Sequence, residues 1–261
     1  MGIRGYHSHH HNGHEFVKHK TTSDARSVPY MGIELEVDKG GERDDVTDEI
    51  QGLFSVMDDN EFIYFESDGS INNGFEIITN PATLNFHSAL RNSYETMFRY
   101  LVKKGYRSFN TNTCGFHIHV NRNYFGQTRT TQAQNIKKVL LICDKFWDNL
   151  VKFSRRDIDA ISRWAEKYSL DPENVIEEMN QHNLSRYRYL NLCNTQTIEF
   201  RMFKGTLNPL SFYGSLELVN NICVYAKTHS EEAIRDMRWE ELLNGNEVSA
   251  LWDKVKNRSV I

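Results

Sequence analysis

Glu34 and Glu36 stand one residue apart in the run Gly32, Ile33, Glu34, Leu35, Glu36, Val37. The alternation has the period of a β-strand, with apolar side chains on one face and both carboxylates on the other. On a strand the two carboxylates lie roughly 7 Å apart. They repel unless water, a basic group or a metal cation separates them. Taken alone, a half-buried strand with a solvated acidic face is the simpler account. Two later runs repeat the device with different chemistry. Phe116, Ile118 and Val120 alternate with His117 and His119, and Ile198, Phe200 and Met202 alternate with Glu199 and Arg201. A His-x-His pair can offer two neutral imidazoles to one metal, or one ligand and one phosphate donor. Two hydrogen-bonded histidines on a polar face explain the pair equally well. The Glu199 and Arg201 pair reads as an ion pair, or as a cation-binding carboxylate beside a phosphate-binding guanidinium. Glu76, between Phe75 and Ile77, adds a further carboxylate.

If these strands share one sheet, its polar face collects Glu34, Glu36, Glu76, His117, His119, Glu199 and Arg201. A divalent cation with phosphates is the simplest explanation of such a face. Mg²⁺ suits carboxylates spread over several strands because it keeps some of its waters. Arg186, Arg188 and Lys204 are near in sequence and would balance phosphate charge.

The elements that must position these residues follow from periodicity. Strands are expected over 32–38, 186–192 and 196–203, and a β-hairpin over 61–79 with turn chemistry at Asp68, Gly69, Asn72, Asn73 and Gly74. Helices are expected over 48–57, 84–104 with Gly105 as the stop, 131–153, 157–168, 172–181 and 211–228, with an amphipathic tail over 230–257. Strands mixed with helices and hairpin-like neighbours give an α+β fold: an antiparallel β-sheet with helices packed on one face. Residues 1–30 read as an arm carrying His7, His9, His10, His11 and His14, and residues 31–261 as a single catalytic domain.

The 261 residues are 39% hydrophobic and carry a formal charge of −4, which gives no argument for nucleic acid or a membrane as partner. The scattered Cys114, Cys143, Cys193 and Cys223 form no Cys-x-x-Cys, which fits a reduced, cytoplasmic chain. No apolar run is long enough to span a bilayer, and the N-terminal residues hold no apolar leader core.

In order, the runs beginning at Gly32, Phe75, Gly115 and Thr197 resemble the signature strands of the amidoligases, carboxylate–amine ligases of the glutamine synthetase and glutamate–cysteine ligase fold. The resemblance covers roughly residues 30–215. It implies a half-open funnel of antiparallel strands binding ATP and Mg²⁺ or Mn²⁺ on its concave face. It implies ATP-dependent amide or isopeptide formation through an acyl phosphate, between small-molecule or peptide carboxylate and amine substrates. Carried over by motif, Glu34, Glu36, Glu76, His117 or His119, and Glu199 would hold metal, and Arg201 would contact phosphate, with Glu36 and Glu199 beside it in the reaction. His119, Arg186, Arg188 and Lys204 are candidates for nucleotide binding. Arg155 and Arg156 are further candidates for nucleotide or carboxylate binding, with ordinary surface charge the simpler account of both, and Asp68 is a candidate proton acceptor. No counterpart of the ring-forming elements of glutamine synthetases is visible, so nothing sets the oligomeric state. Two rival readings stand beside this one. A zinc hydrolase would use His117 and His119 with Glu199 as base, although no His-Glu-x-x-His occurs. A non-catalytic binding module would keep the fold without turnover.

Overall fold

The period-2 runs become the strands of one open sheet. A computed structural model describes residues 2–5, 27–54 and 62–260. The histidines at 7–14 and the last residues of the helix expected over 48–57 lie outside the described residues. The strands are β1 (Tyr30–Val37), β2 (Ile63–Glu66), β3 (Phe75–Thr79), β4 (Ala82–Thr83), β5 (Gly115–Asn121), β6 (Leu190–Asn191) and β7 (Thr197–Lys204). Their order is β2-β3-β1-β5-β7-β6, with β4 pairing β1, and every pairing is antiparallel. The helices are α1 (Asp44–Phe54), α2 (Leu84–Ala89), α3 (Arg91–Lys103), α4 (Arg129–Lys145), α5 (Trp147–Ser154), α6 (Ile158–Trp164), α7 (Pro172–Asn180), α8 (Pro209–Thr228), α9 (Glu231–Asp236) and α10 (Asn246–Val255).

Ile33, Leu35, Phe75, Ile77, Phe116, Ile118, Ile198 and Phe200 are fully buried and form the apolar face of the sheet. The helices cover that face. Phe212 of α8 stacks on Phe116 with ring centroids 5.0 Å apart, and Phe98 and Tyr94 of α3 close around Phe212 at 5.3 and 4.8 Å. Offset and edge-on aromatic contacts of this kind add to area burial and fix how the helices sit. His87 of α2 bridges the layers. Its Nε2–H donates to Met31 O at 2.8 Å, and its Nδ1 accepts from the Tyr94 hydroxyl at 2.9 Å. The strand that carries Glu34 and Glu36 is thus tied to the helical layer.

Several expected elements differ in extent. The helices expected over 84–104 and 131–153 are each two helices, broken at Leu90 and Phe146, whose backbones leave the helical region. The apolar stripe continues through both breaks, so periodicity alone joins them. The strand expected over 186–192 is only Leu190–Asn191. Lys103 ends α3, and Gly105 takes φ +97 just beyond, the left-handed backbone expected of a stop. Gly74, ahead of β3, is required by close approach: a β-carbon there would meet Val37 O at 1.9 Å. Among the described residues, no helix is long and apolar enough to cross a membrane. All four cysteines are free.

Candidate active site

Cross-strand register turns the three sequence motifs into rows on the polar face. Glu66, Glu76 and Glu36 align across β2, β3 and β1. Glu34 lies opposite His117, and His119 opposite Glu199, which in turn faces Asn191. Between Phe116 and Ile118 of β5 the register shifts, leaving an extra residue on β7 between Phe200 and Phe203. Such a bulge reverses the alternation beyond it. It leaves Met202 and Phe203 both buried, and it pairs Lys204 with Gly115 in the row of Glu36.

The side chains converge closely. Glu34 Oε2 is 3.2 Å from His117 Nδ1, and Glu34 Oε1 is 3.0 Å from His119 Nε2. Glu199 Oε1 lies 3.5 Å from His117 Nδ1 and 3.9 Å from His119 Nε2, and it is paired with Arg201 Nη1. Asn191 Nδ2 donates to Glu199 Oε2 at 2.6 Å, and Thr197 Oγ1 is 3.2 Å from His119 Nδ1. These contacts fix the rotamers of Glu199 and His119 from β6 and β7. Glu36 Oε2 accepts the Gly115 N–H at 2.5 Å. Gly115 also leaves room for two side chains whose charges act on Glu36: a β-carbon there would lie 2.6 Å from both Arg156 Nη2 and His117 Nε2.

The electrostatics are those of a face short of positive charge. Burial pushes the Glu76 carboxyl well above the ordinary range, and the charges of Glu34, Glu36, Asp68 and Glu199 push it further. Burial likewise raises Glu36, opposed by His117, the Gly115 N–H and Arg156. Burial would also raise Glu34, but the charge of His119 and hydrogen bonds from both imidazoles hold it well below the usual range. His119, lowered by burial, is raised on balance to about 9 by Glu34 and Glu199.

The donor set fits a divalent cation. Glu34, Glu76 and His117 bring ligand atoms within 4.8 Å of one another, and so do Glu34, His119 and Glu199. Glu34 belongs to both groups. His119 Nε2 is buried and has no aligned hydrogen-bond partner despite its closeness to two carboxylates. With a cation bound in place of the proton, the same nitrogen would turn its lone pair to the metal between the two carboxylates. Arg201 Nε is also buried without a partner, a donor left open beside the same carboxylates.

Other expected residues lie in different surroundings. Arg188 pairs with Glu166 at 2.5 Å and stacks over the Tyr168 ring, and exposed Arg186 donates to the Tyr187 hydroxyl. Asp68 is half-buried in the β2–β3 turn, where its Oδ1 accepts the Ser70 N–H at 2.6 Å. Lys204 lies over the Phe109 ring and, with Arg156 and Arg163, lines a polar cavity of about 230 Å³. Arg155 and Arg156 are not surface charge as the sequence suggests: they are 6% and 4% exposed. Their guanidiniums hang from carbonyls at the end of β7, Arg155 Nη2 from Lys204 O and Arg156 Nε from Phe203 O. Nothing in a polar dipeptide after a helix signals that burial. Glu66 and Asn191 were also missed. The continuous apolar run Phe62–Phe65 carries no polar alternation that would single out Glu66.

A profile of the family described as "Putative amidoligase enzyme" matches residues 54–223, so β1 with Glu34 and Glu36 lies outside the matched stretch. No curated protein matches the chain in sequence. Among solved structures, ligand-free GmaS is 11% identical with a TM-score of 0.47, over 88% of this chain and 68% of that one. The ligase PafA, in complex with the prokaryotic ubiquitin-like protein Pup, is 9% identical with a TM-score of 0.35, over 90% of this chain and 52% of that one.

Proposed function

The chain belongs to the amidoligase family, and from that premise we propose that it is an ATP- and Mg²⁺-dependent carboxylate–amine ligase working through an acyl phosphate. The observation that carries the reading is the pair of ligand groups sharing Glu34, with the open Arg201 Nε beside them. A carboxylate is a poor electrophile toward an amine, and transfer of a phosphoryl group to one of its oxygens makes a mixed anhydride that the amine can attack. In this reading Glu34, Glu76 and His117 would hold one cation, and Glu34, His119 and Glu199 would hold another. The cations supply charge neutralisation for the polyphosphate. Arg201 stabilises charge on the moving phosphoryl group, and its pairing with Glu199 keeps it in place. Glu36, held by the Gly115 N–H, would balance the charges of His117 and Arg156, which both act on it. Asp68, whose charge acts on Glu36 and Glu76 from the β2–β3 turn, is the candidate in this reading to take the proton of the attacking ammonium.

The test is a panel of carboxylates offered with Mg²⁺, ATP and hydroxylamine as a surrogate amine. The reading expects ADP and a hydroxamate to form together with at least one carboxylate, and only with ATP present. Hydrolysis of amides by the zinc-loaded protein without ATP would favour the hydrolase reading instead.

A further inference from the structure

A separate cavity of about 450 Å³ opens on the helical side of the molecule, between the end of α3, the start of α8 and α10. That is the size of a small-molecule pocket. Val102, Phe109, Leu210 and Leu251 give it apolar walls, while Arg107, Arg155 and Lys254 supply cations; among the described residues no carboxylate lines it. Arg155 is the telling member. It is 6% exposed, its Nε has no hydrogen-bond partner, and among the described residues no carboxylate lies within ion-pair distance. Its neighbours add repulsion: Arg156 and Arg258 both act on it. A buried guanidinium is normally paired, because taking an unpaired charge out of water is strongly unfavourable. The first turn of α8, with Leu210 and Ser211 on the cavity, adds the positive end of a 20-residue helix.

We propose that this cavity binds a small carboxylate carrying an apolar body, with the carboxylate supplying the missing counter-ion of Arg155 and the body filling the space between Val102, Phe109 and Leu210. A planar guanidinium and a carboxylate match in a two-point hydrogen-bonded pair. The site is distinct from the Glu34 face and does not depend on the ligase reading.

Calorimetric titration with 6-phenylhexanoate, and with 6-phenylhexan-1-ol as its uncharged counterpart, tests the proposal. The acid should bind at least about tenfold more tightly than the alcohol, the range of a charge-assisted pair. Arg155→Gln should remove that preference. Val102→Trp, at an exposed rim position, should weaken both ligands by crowding the cavity, and it serves where the arginine variant fails to fold. Glu34→Gln should leave the binding unchanged, which separates this cavity from the metal-binding face. Equal binding of acid and alcohol, no measurable binding, or loss of binding in Glu34→Gln alone would overturn the proposal.

Discussion

Glu34 and His117 face each other across the β1–β5 pair, with Glu34 Oε2 3.2 Å from His117 Nδ1, and the other oxygen of the same carboxylate is 3.0 Å from His119. One side chain therefore joins both prospective cation groups, whereas Glu76 and Glu199 each belong to one. Removing its charge should cost more than removing either of theirs. In a Mn²⁺ titration followed by electron paramagnetic resonance, Glu34→Gln should weaken every cation site by at least about tenfold, since even outer partners of metal ligands are worth about 10–100-fold. Glu76→Gln should weaken only part of the binding. Full stoichiometry and affinity in Glu34→Gln would contradict the shared role.

Glu76 gives a pH dependence with a definite sign. Its folded-state carboxyl is held well above the ordinary range by burial and by neighbouring carboxylates, so the native state keeps a proton that the unfolded chain releases above about pH 4.3. Stability without cations must then fall as pH rises from there. Glu76→Gln should melt higher than wild type at pH 8 in chelator, with the difference closing toward pH 4.5. Adding Mg²⁺ should stabilise wild type more than the variant. A variant that melts lower than wild type at pH 8 in chelator would count against the crowding.

His87 acts in the opposite direction. Burial lowers its pKa to about 4, outweighing the hydrogen bond to Met31 O. The unfolded chain takes up a proton near pH 6.5 that the native state refuses until about 4, so stability is full above 6.5 and is lost as pH falls through that window. The loss is at most about 1.4 kcal/mol per pH unit, and roughly 3 kcal/mol in all. Because Glu76 slopes the other way over the same range, the readout is the difference between wild type and His87→Gln: urea unfolding at pH 7.5, 6 and 5 should find the variant destabilised at pH 7.5 and the gap narrowing toward pH 5. A slope unaffected by the substitution would remove His87 as its source.

Much of the polar face was legible because strand alternation keeps chemistry on one side. The runs at Gly32, Gly115 and Thr197 each put charged or imidazole side chains at every second position, and a shared sheet then brings them together. What could not be read depends on the third dimension. The bulge opposite His117, which returns Lys204 to the row of Glu36, leaves no mark in a run that alternates cleanly up to Met202. The breaks at Leu90 and Phe146 occur within continuous apolar stripes. Arg155 and Arg156 look solvated in sequence, and only the carbonyls ending β7 explain why they are inside.

Gly115 offers a test of arrangement apart from charge. A β-carbon there would press on Arg156 Nη2 and His117 Nε2, which are the ends of side chains rather than backbone. Gly115→Ala should therefore fold, with an unchanged circular dichroism spectrum, while those two groups are displaced from their places beside Gly115. Mg²⁺-dependent nucleotide affinity should drop by about tenfold or more. Unchanged affinity would show that the placement of Arg156 and His117 beside Gly115 does not matter to nucleotide binding.

The most direct measurement of the central claim is the melting temperature with Mg²⁺ and a non-hydrolysable ATP analogue, for wild type and Glu34→Gln. A ligand at 100 times its Kd contributes about 2.7 kcal/mol to the native state. For a domain of this size that is a rise of about 5–10 °C. The account predicts such a rise in wild type, its absence when Mg²⁺ is replaced by chelator, and its absence in Glu34→Gln. No rise in wild type at millimolar analogue, or an equal rise with and without Mg²⁺, would contradict the assignment of this face to a metal–nucleotide complex.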